Sequence, residues 1–221
     1  MSTSATNVSA SAVKELREKT GAPMMDCKNA LVESKGDMEK AVDWLRKRGI
    51  AVMGKKAGRA TKEGSVESYV HAGGKIGVLV EVNCESDFVA RTEDFKELIH
   101  DIAMHIAATD PKFIRKEDVT PEAYEREREI YRAQAAASGK PPQVVEKMIE
   151  GKMGKFYEEV CLLEQPFIKE QNTTVNQLIA SKIGKLGENI SVRRFVRFKV
   201  GEASFTMAAT KAAEGEEQKQ G

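Results

Sequence analysis

The hydrophobic positions of the first 50 residues recur at helical spacing and predict three short helices between residues 9 and 49. Residues that start or stop helices separate the three segments: Gly21, Pro23, Gly36 and Asp37. One face of each helix is apolar, and these faces carry Val13, Leu16, Cys27, Ala30, Leu31, Met38, Ala41, Val42 and Leu45. A bundle of this size has a small core and is typical of an interaction module.

From Gly64 the period of the hydrophobic pattern changes to two. Residues 65–71 and 75–82 are predicted to be strands, and the glycine-containing turn between them predicts a hairpin. Residues 190–200 alternate in the same way and predict the last strand. One face of this strand would carry its apolar side chains, which are Ile190, Val192, Val196, Phe198 and Val200.

Helical periodicity returns between the predicted strands. Residues 92–108 carry a regular apolar stripe, and residues 175–183 form a shorter helical segment. Two longer segments over about residues 120–160 are joined by Gly-Lys-Pro-Pro, which ends one helix and opens the next. They predict an antiparallel helical hairpin that projects from the sheet.

These segments together predict an α+β fold, in which helices pack on a small antiparallel sheet. The predicted boundaries are a disordered tail over residues 1–8, a three-helix partner-docking domain over 9–50, a basic linker over 51–64, an α+β core over 65–201 that includes the hairpin, and a mobile C-terminal tail over 202–221.

The charge balance and the cysteines limit the classes of function. Lys and Arg number 35 and Asp and Glu 34, so the net charge of +1 does not suit a bulk polyanion binder. No apolar run approaches the roughly 18 residues of a membrane span, and the N-terminal residues lack the pattern of a signal peptide. Cys27, Cys84 and Cys161 are far apart and odd in number. A cytoplasmic protein with reduced thiols is therefore predicted.

Motifs that carry enzyme chemistry are missing from the sequence. It has no phosphate-binding loop, no dinucleotide fingerprint, no H-E-x-x-H and no C-x-x-C. The three histidines are not close in sequence to any cysteine, so a Cys-His nucleophile is not indicated. We therefore predict that the chain is not an enzyme, has no catalytic residue, and uses no cofactor or metal.

Two basic features leave an RNA- or ribosome-binding module as an alternative. Residues 46–62 contain Lys and Arg but no acidic residue, although no aromatic side chain among them could stack on bases. Gly184-Lys185-Leu186-Gly187 has the G-x-x-G spacing with which KH modules clamp a nucleic-acid backbone. A strand, not a helix, is predicted to follow it, which favours a helix stop and a turn.

A short apolar and acidic segment lies between the second predicted strand and the long helix. It consists of Ser86, Asp87, Phe88 and Val89. Taken alone, Phe88 is most simply interpreted as a core residue, since most aromatic side chains are buried. An apolar side chain on a connecting loop can also serve partner binding. His105 borders the apolar stripe of the following helix, where packing is again the simpler interpretation.

Several ordered segments resemble one known family. Residues 13–28 (VKELREKTGAPMMDCK) are similar to the opening helix pair of the bacterial elongation factor Ts family. Residues 81–90 (EVNCESDFVA) resemble the signature that precedes the long helix of that family. The match covers nearly all of residues 8–202 and includes shorter segments at residues 105–108, 165–167 and 196–198.

The resemblance implies guanine-nucleotide exchange on elongation factor Tu, the GTPase that delivers aminoacyl-tRNA, in its GDP-bound and nucleotide-free states. The three-helix module, similar to a ubiquitin-associated domain, would dock on the nucleotide domain of Tu through Arg17, Met24 and Met25. Adjacent methionines at a helix start suit this role, because methionine makes adaptable contacts. Direct binding of nucleic acid or membrane is not implied.

The resemblance also implies roles for the segment before the long helix. Ser86, Asp87, Phe88 and Val89 would form a magnesium-displacing loop, with Asp87 and Phe88 as the wedge that enters Tu near its nucleotide site. His105 corresponds to a position that contacts the partner in this family, which favours a functional role for it.

Two features depart from the family pattern. Ser86 stands where the family usually has threonine. The chain also has sheet for only one of the two β-containing core halves of longer family members. Short members can dimerise to supply the missing surface, so the resemblance implies a possible homodimer through the helical hairpin or a sheet edge. A monomer that binds one Tu is the alternative.

Overall fold

The three predicted N-terminal helices are present, and Gly21 and Asp37 cap α1 and α3 as the sequence indicates. The computed structural model describes residues 8–136 and 141–210. Helices α1 (Ala10–Thr20), α2 (Met24–Glu33) and α3 (Met38–Lys56) follow one another. Ser9 accepts the Ala12 N–H at 3.1 Å, and Asp37 accepts the Lys40 N–H at 3.1 Å. Gly21 ends α1 at φ 65°, a left-handed conformation that glycine adopts at low cost.

The apolar faces of α1, α2 and α3 form one core cluster, as predicted. Its buried members are Val13, Leu16, Cys27, Ala30, Leu31 and Ala41. Met38, Val42, Trp44 and Leu45 are partly buried and pack against it. The spacing of the apolar residues and the helix caps are therefore sufficient to predict this three-helix module.

Helix α3 continues beyond the predicted end near residue 49. It runs to Lys56 and takes in part of the segment predicted as a basic linker. Gly49 lies inside the helix, although an interior glycine is unfavourable by about 1 kcal/mol relative to alanine. A Cβ at this position would lie 3.3 Å from the carbonyl oxygen of Ala180 on α8 (Val175–Leu186). Gly49 thus permits close packing of α3 on α8 and does not end the helix.

The antiparallel sheet has one strand more than the sequence predicts. Strands β1 (Glu63–Val70), β2 (Ile76–Cys84), β5 (Ile190–Lys199) and β6 (Thr206–Ala209) lie in the order β1-β2-β5-β6. Strand β6 pairs antiparallel with β5, so residues 206–209, predicted to be mobile, are part of the sheet. The short strands β3 (Pro166–Phe167) and β4 (Glu170–Thr174) form a separate antiparallel pair. Residues 1–7 and 211–221, where the tails are predicted, lie outside the described residues.

The predicted apolar face of β5 is wrong after Val192. The buried positions are Ile190, Val192, Phe195 and Arg197, whereas Phe198 is 54% exposed. The consecutive residues Arg193 and Arg194 both reach Glu81, with their Nε atoms 3.6 Å and 2.8 Å from its carboxylate oxygens. The alternation therefore shifts by one residue at this point, which is the effect of a β-bulge.

The shift buries the guanidinium group of Arg197. Its Nε donates to the carbonyl oxygen of Ala107 at 3.3 Å. Its Nη1 lies 3.5 Å from a carboxylate oxygen of Asp110 and 3.5 Å from one of Glu202. A buried charge is tolerated when it is paired and hydrogen-bonded in this way.

The helical hairpin is formed by α6 (Pro121–Ala136) and α7 (Pro142–Val160). The two helices pack along each other, and Arg128 on α6 pairs with Glu146 on α7 at 2.8 Å. Their own core cluster contains Val119, Ala135, Ile149, Met153, Phe156 and Cys161. The predicted pair of packed helices is therefore present, although part of its connection, residues 137–140, lies outside the described residues.

The remaining helices are α4 (Asp87–Ala90) and α5 (Glu93–Thr109). The described chain divides into two compact units. The first contains residues 8–64, 83–98 and 176–191, and the second contains residues 65–82, 99–136, 141–175 and 192–210. The predicted α+β class is confirmed. The predicted domain boundaries stay predictions.

Candidate functional site

The segment from Ser86 to Val89 is a single helical turn and not an open loop. Helix α4 (Asp87–Ala90) begins directly after Ser86, whose hydroxyl oxygen accepts the Val89 N–H at 3.5 Å. Val89 is buried, whereas Phe88 exposes 79% of its surface. The simpler interpretation of Phe88 as a core residue is therefore wrong. A large exposed ring on a short turn is a candidate contact for another protein.

The polar atoms of Ser86 are held from two directions. The carboxylate of Glu188 accepts the Ser86 N–H at 2.9 Å and its hydroxyl at 2.6 Å. The Cys84 thiol donates to the Ser86 carbonyl oxygen at 3.1 Å. The residues next to Ser86 and Glu188 are bonded as well: the Glu85 carboxylate accepts the backbone N–H of Asn189 at 2.6 Å. The backbone that precedes Phe88 is thus fixed by side chains distant in sequence.

Asp87 presents a carboxylate beside the exposed ring. It pairs with Arg91 one turn further along, at 2.8 Å, and the two side chains are 46% and 78% exposed. An exposed pair of this kind contributes at most about 1 kcal/mol, so a partner can replace it. The turn therefore offers an apolar group and an anion side by side.

The other predicted docking residues lie at the junction of α1 and α2, in the same compact unit as the turn. Arg17 is exposed in the last turn of α1. Met24 and Met25 open α2 and are 54% and 62% exposed. Neither methionine contributes to the core cluster beneath them. They are available for contact with another protein.

His105 is fully buried in the second compact unit, so it does not offer a surface contact in this structure. The Ile168 N–H donates to its Nδ1 at 3.3 Å, and its Nε2 donates to the Gln165 side-chain oxygen at 2.9 Å. The same oxygen accepts the Thr109 hydroxyl at 2.9 Å. This arrangement requires the neutral imidazole, and burial lowers the pKa of His105.

Acidification is expected to reduce the free energy of unfolding through His105. Burial holds the pKa of its ring below the ordinary value of 6.5 in the folded state. The unfolded chain therefore binds this proton first, so the contribution is complete above about pH 6.5 and is lost as the pH falls below it. Urea unfolding at about pH 7.5 and about pH 5.5 should show a larger acid loss for the wild type than for His105→Gln. The exposed His71→Gln should behave as wild type, and equal losses in all three proteins would contradict the prediction.

The G-x-x-G segment of the RNA-binding alternative is not arranged as a KH module requires. Gly184, Lys185 and Leu186 form the last turn of α8, so the G-x-x-G segment is not a loop between two helices. Lys185 donates to Asp94 at 2.6 Å, and Lys56 donates to the carbonyl oxygen of Gly187. Arg59 of the basic segment faces Glu85 at 3.4 Å. These cations already have partners within the protein.

Other kinds of site are not evident in the residues that the structure describes. These residues contain no group of three or more His, Cys, Asp or Glu side chains that could hold a metal ion. Cys27, Cys84 and Cys161 are all free and buried. None of the described helices is both long and apolar enough to cross a membrane.

Sequence reasoning missed the residues that support the turn. Glu188 and Asn189 lie 102 and 104 positions from the residues they bind, Ser86 and Glu85. The residues around Glu188 in the sequence do not indicate that its carboxylate binds Ser86. Only the tertiary fold brings these segments together.

The comparisons with known proteins agree on one family. The family described as Elongation factor TS matches residues 6–202. Proteins named elongation factor Ts from Koribacter versatilis and Solibacter usitatus are 73% and 65% identical to this chain over 211 and 209 residues. These alignments cover 95% and 94% of this chain, and 96% and 99% of the two relatives. A third, from Carboxydothermus hydrogenoformans, is 63% identical over 190 residues, which are 86% of this chain and 88% of that protein. This chain therefore belongs to the elongation factor Ts family.

Proposed function

We propose that this chain, a translation elongation factor by its family, is the guanine-nucleotide exchange factor of elongation factor Tu and acts on it in the cytoplasm. The observation that carries the proposal is Phe88, 79% exposed on a turn whose backbone is held by Glu188. An exposed aromatic side chain on a fixed support can enter a partner without first being extracted from its own core.

The proposed wedge consists of Asp87 and Phe88. The ring would insert near the nucleotide site of Tu, and the carboxylate would compete for groups that hold the magnesium ion. Magnesium carries much of the affinity for the phosphates in such sites, so its displacement is an efficient way to release GDP. Ser86 and Val89 would support the wedge as helix cap and as buried anchor.

The thermodynamics of exchange place a condition on this wedge. An exchange factor must bind nucleotide-free Tu more tightly than Tu·GDP, or it shifts no population. Because linkage is reciprocal, GDP weakens the binding of the factor by the same ratio. The factor would therefore set the rate of exchange, and the excess of GTP its direction. No bond-making residue is needed for this function.

The docking residues would increase the affinity for Tu but would not themselves promote the release of GDP. They are Arg17, Met24 and Met25. Their exposure at the junction of α1 and α2 supports a docking role on the nucleotide domain of Tu. His105 is buried, so in this proposal it acts indirectly, by holding Gln165 and the backbone at Ile168. His105 would contribute to partner binding only by fixing the positions of Gln165 and the Ile168 backbone.

We also propose a homodimer, and we place its contact on the exposed face of the four-stranded sheet, in place of the helical hairpin or sheet edge expected from the sequence. This face exposes large apolar side chains on every strand, namely Val66, Val70, Leu79, Phe198 and Met207. A second copy presents the same apolar positions and would cover them in a symmetric contact. Sedimentation equilibrium would test this, with Leu79→Glu expected to produce monomers; a wild type with the mass of one chain contradicts the dimer.

The exchange proposal is tested by stopped-flow release of a fluorescent GDP analogue from purified Tu. The wild-type chain is expected to accelerate release in proportion to its concentration until it saturates. It should also bind nucleotide-free Tu more tightly than Tu·GDP. Release at the rate seen with buffer alone would exclude exchange. Salt-sensitive binding of RNA in its place would support the alternative.

A further inference from the structure

Residues 85–86 lie just before helix α4, and residues 188–189 follow helix α8. Each of these two short segments binds the backbone of the other through a carboxylate side chain. Glu188 accepts the Ser86 N–H at 2.9 Å, and Glu85 accepts the Asn189 N–H at 2.6 Å. Each segment thus supplies one carboxylate and one backbone donor. We call this arrangement of residues 85–86 and 188–189 the reciprocal clamp.

The reciprocal clamp is reinforced at both ends. The second oxygen of Glu188 accepts the Ser86 hydroxyl at 2.6 Å. The side-chain amide of Asn189 donates to the Arg59 carbonyl oxygen at 2.9 Å. Hydrogen bonds to a carboxylate are shorter and stronger than those between neutral groups. Residues 85–86 are therefore held against the connection between α8 and β5.

Helix α4 depends on this support. It contains only the four residues Asp87–Ala90, and a single helical turn does not form by itself in water. Its start is set by Ser86, which is its N-cap. Phe88 is the second residue of the turn, so its direction follows from the position of Ser86. A change in the contact between Ser86 and Glu188 would be passed directly to the exposed ring.

We propose that Glu188 is a positioning residue for exchange, which acts by holding Ser86 so that Phe88 is already oriented for entry into the partner. This inference rests on the proposed function. Glu188 does not need to touch the partner in this role. Loss of the clamp leaves the docking residues Arg17, Met24 and Met25 in place but allows the ring to take other directions. The turnover of exchange should then fall while docking persists.

The clamp itself is tested without any partner, by NMR titration of backbone amides through the acidic range. A backbone N–H that donates to a carboxylate shifts when that carboxylate is protonated. On acidification the Ser86 amide should therefore shift further in the wild type than in Glu188→Gln, where only the neighbouring carboxyl groups of Glu85 and Asp87 still act on it. The Asn189 amide should likewise shift further in the wild type than in Glu85→Gln. The same spectra report whether each variant is folded. A Ser86 amide that shifts equally in the wild type and in Glu188→Gln overturns the inference.

The positioning role is tested by exchange kinetics at varied Tu·GDP concentration. Glu188→Gln is expected to lower kcat about tenfold and to leave KM nearly unchanged, because the wedge and not the docking surface is disturbed. Glu97→Gln is the control: this carboxylate pairs with Lys182 at 2.9 Å in the same compact unit, away from the clamp. It should behave as wild type. A purely structural role would lower the thermal midpoint of Glu188→Gln without a selective loss of kcat, and this result also overturns the inference.

Phe88→Ala separates this inference from the proposed function. If Phe88→Ala lowers kcat but Glu188→Gln does not, the wedge stands and the positioning role is wrong. If neither variant lowers kcat although the wild type accelerates release, the wedge is wrong and the positioning role falls with it. If the wild type itself does not accelerate release, the exchange function fails, whatever the amide titration shows of the clamp.

Discussion

Phe88→Ala is expected to reduce the acceleration of GDP release by about a hundredfold. Burying a phenylalanine side chain contributes up to about 3 kcal/mol, and in the proposed mechanism that energy is gained only when the ring enters Tu as nucleotide leaves. The variant should therefore lose kcat while its affinity for Tu·GDP changes little. Its thermal midpoint should match that of the wild type, since the ring is 79% exposed and supports no core.

Stopped-flow release and thermal melts measure the two parts of this expectation. Ile50→Ala is a suitable control, because Ile50 is a large apolar residue of the same compact unit and is 43% exposed. It should leave release unchanged. A variant Phe88→Ala that accelerates release as well as the wild type would move the site elsewhere on the surface. A variant that fails to fold would return Phe88 to a structural role.

The double substitution Met24→Ala with Met25→Ala is expected to weaken binding of nucleotide-free Tu by about a hundredfold, or roughly 3 kcal/mol. Both side chains are more than half exposed in the free chain, so the apolar area they bury on docking is lost in the variant. Exchange at saturating concentration should be retained, because the wedge is intact. The two substitution sets thus separate affinity from release.

Isothermal titration with nucleotide-free Tu provides the measurement for the methionine pair. Val32→Ala is the matched control, since Val32 lies on the same helix α2 and is 41% exposed but is not a predicted contact. It should bind as the wild type does. If Val32→Ala weakens binding as much as the methionine pair, the docking surface extends along α2 and the proposal that it lies at the start of this helix is wrong. If the methionine variant binds normally, docking does not use the start of α2.

The parts of the fold that local chemistry determines could be predicted from the sequence. Gly21 and Asp37 cap the N-terminal helices as expected, because capping needs only residues three or four positions away. The regular stripe of α5 also predicts its burial, with Phe95 and Leu98 fully buried. Helical periodicity is reliable when it is long and uninterrupted.

The errors arise where distant parts of the chain decide the outcome. The predicted end of α3 near residue 49 is wrong, because the helix runs on to Lys56 and the small size of Gly49 serves the contact with Ala180, which is 131 positions later. The phase of β5 changes because Arg193 and Arg194 both bind Glu81 on another strand. Strand β6 forms because β5 offers an edge to pair with. None of these partners can be read from the segment itself.

The candidate site also has features that the sequence indicated and features that only the tertiary structure shows. The sequence, through the family resemblance, pointed to Asp87 and Phe88, and Phe88 is exposed as a wedge requires. It could not indicate that Ser86 is bound by Glu188, since that contact exists only in the tertiary structure. For His105 the apolar stripe favoured packing, which agrees with its complete burial, whereas the family resemblance favoured a contact with the partner.

The three buried cysteines make the chain well suited to site-specific labelling. Burial raises the pKa of Cys84 to about 11 and that of Cys161 to about 12, and it raises the pKa of Cys27 as well. Maleimides react with the thiolate, so these enclosed thiols should stay unmodified near neutral pH. A single exposed cysteine, for example at Asn29→Cys one turn from Met25, would then carry a fluorophore alone. Docking could be followed in real time without removing any native cysteine.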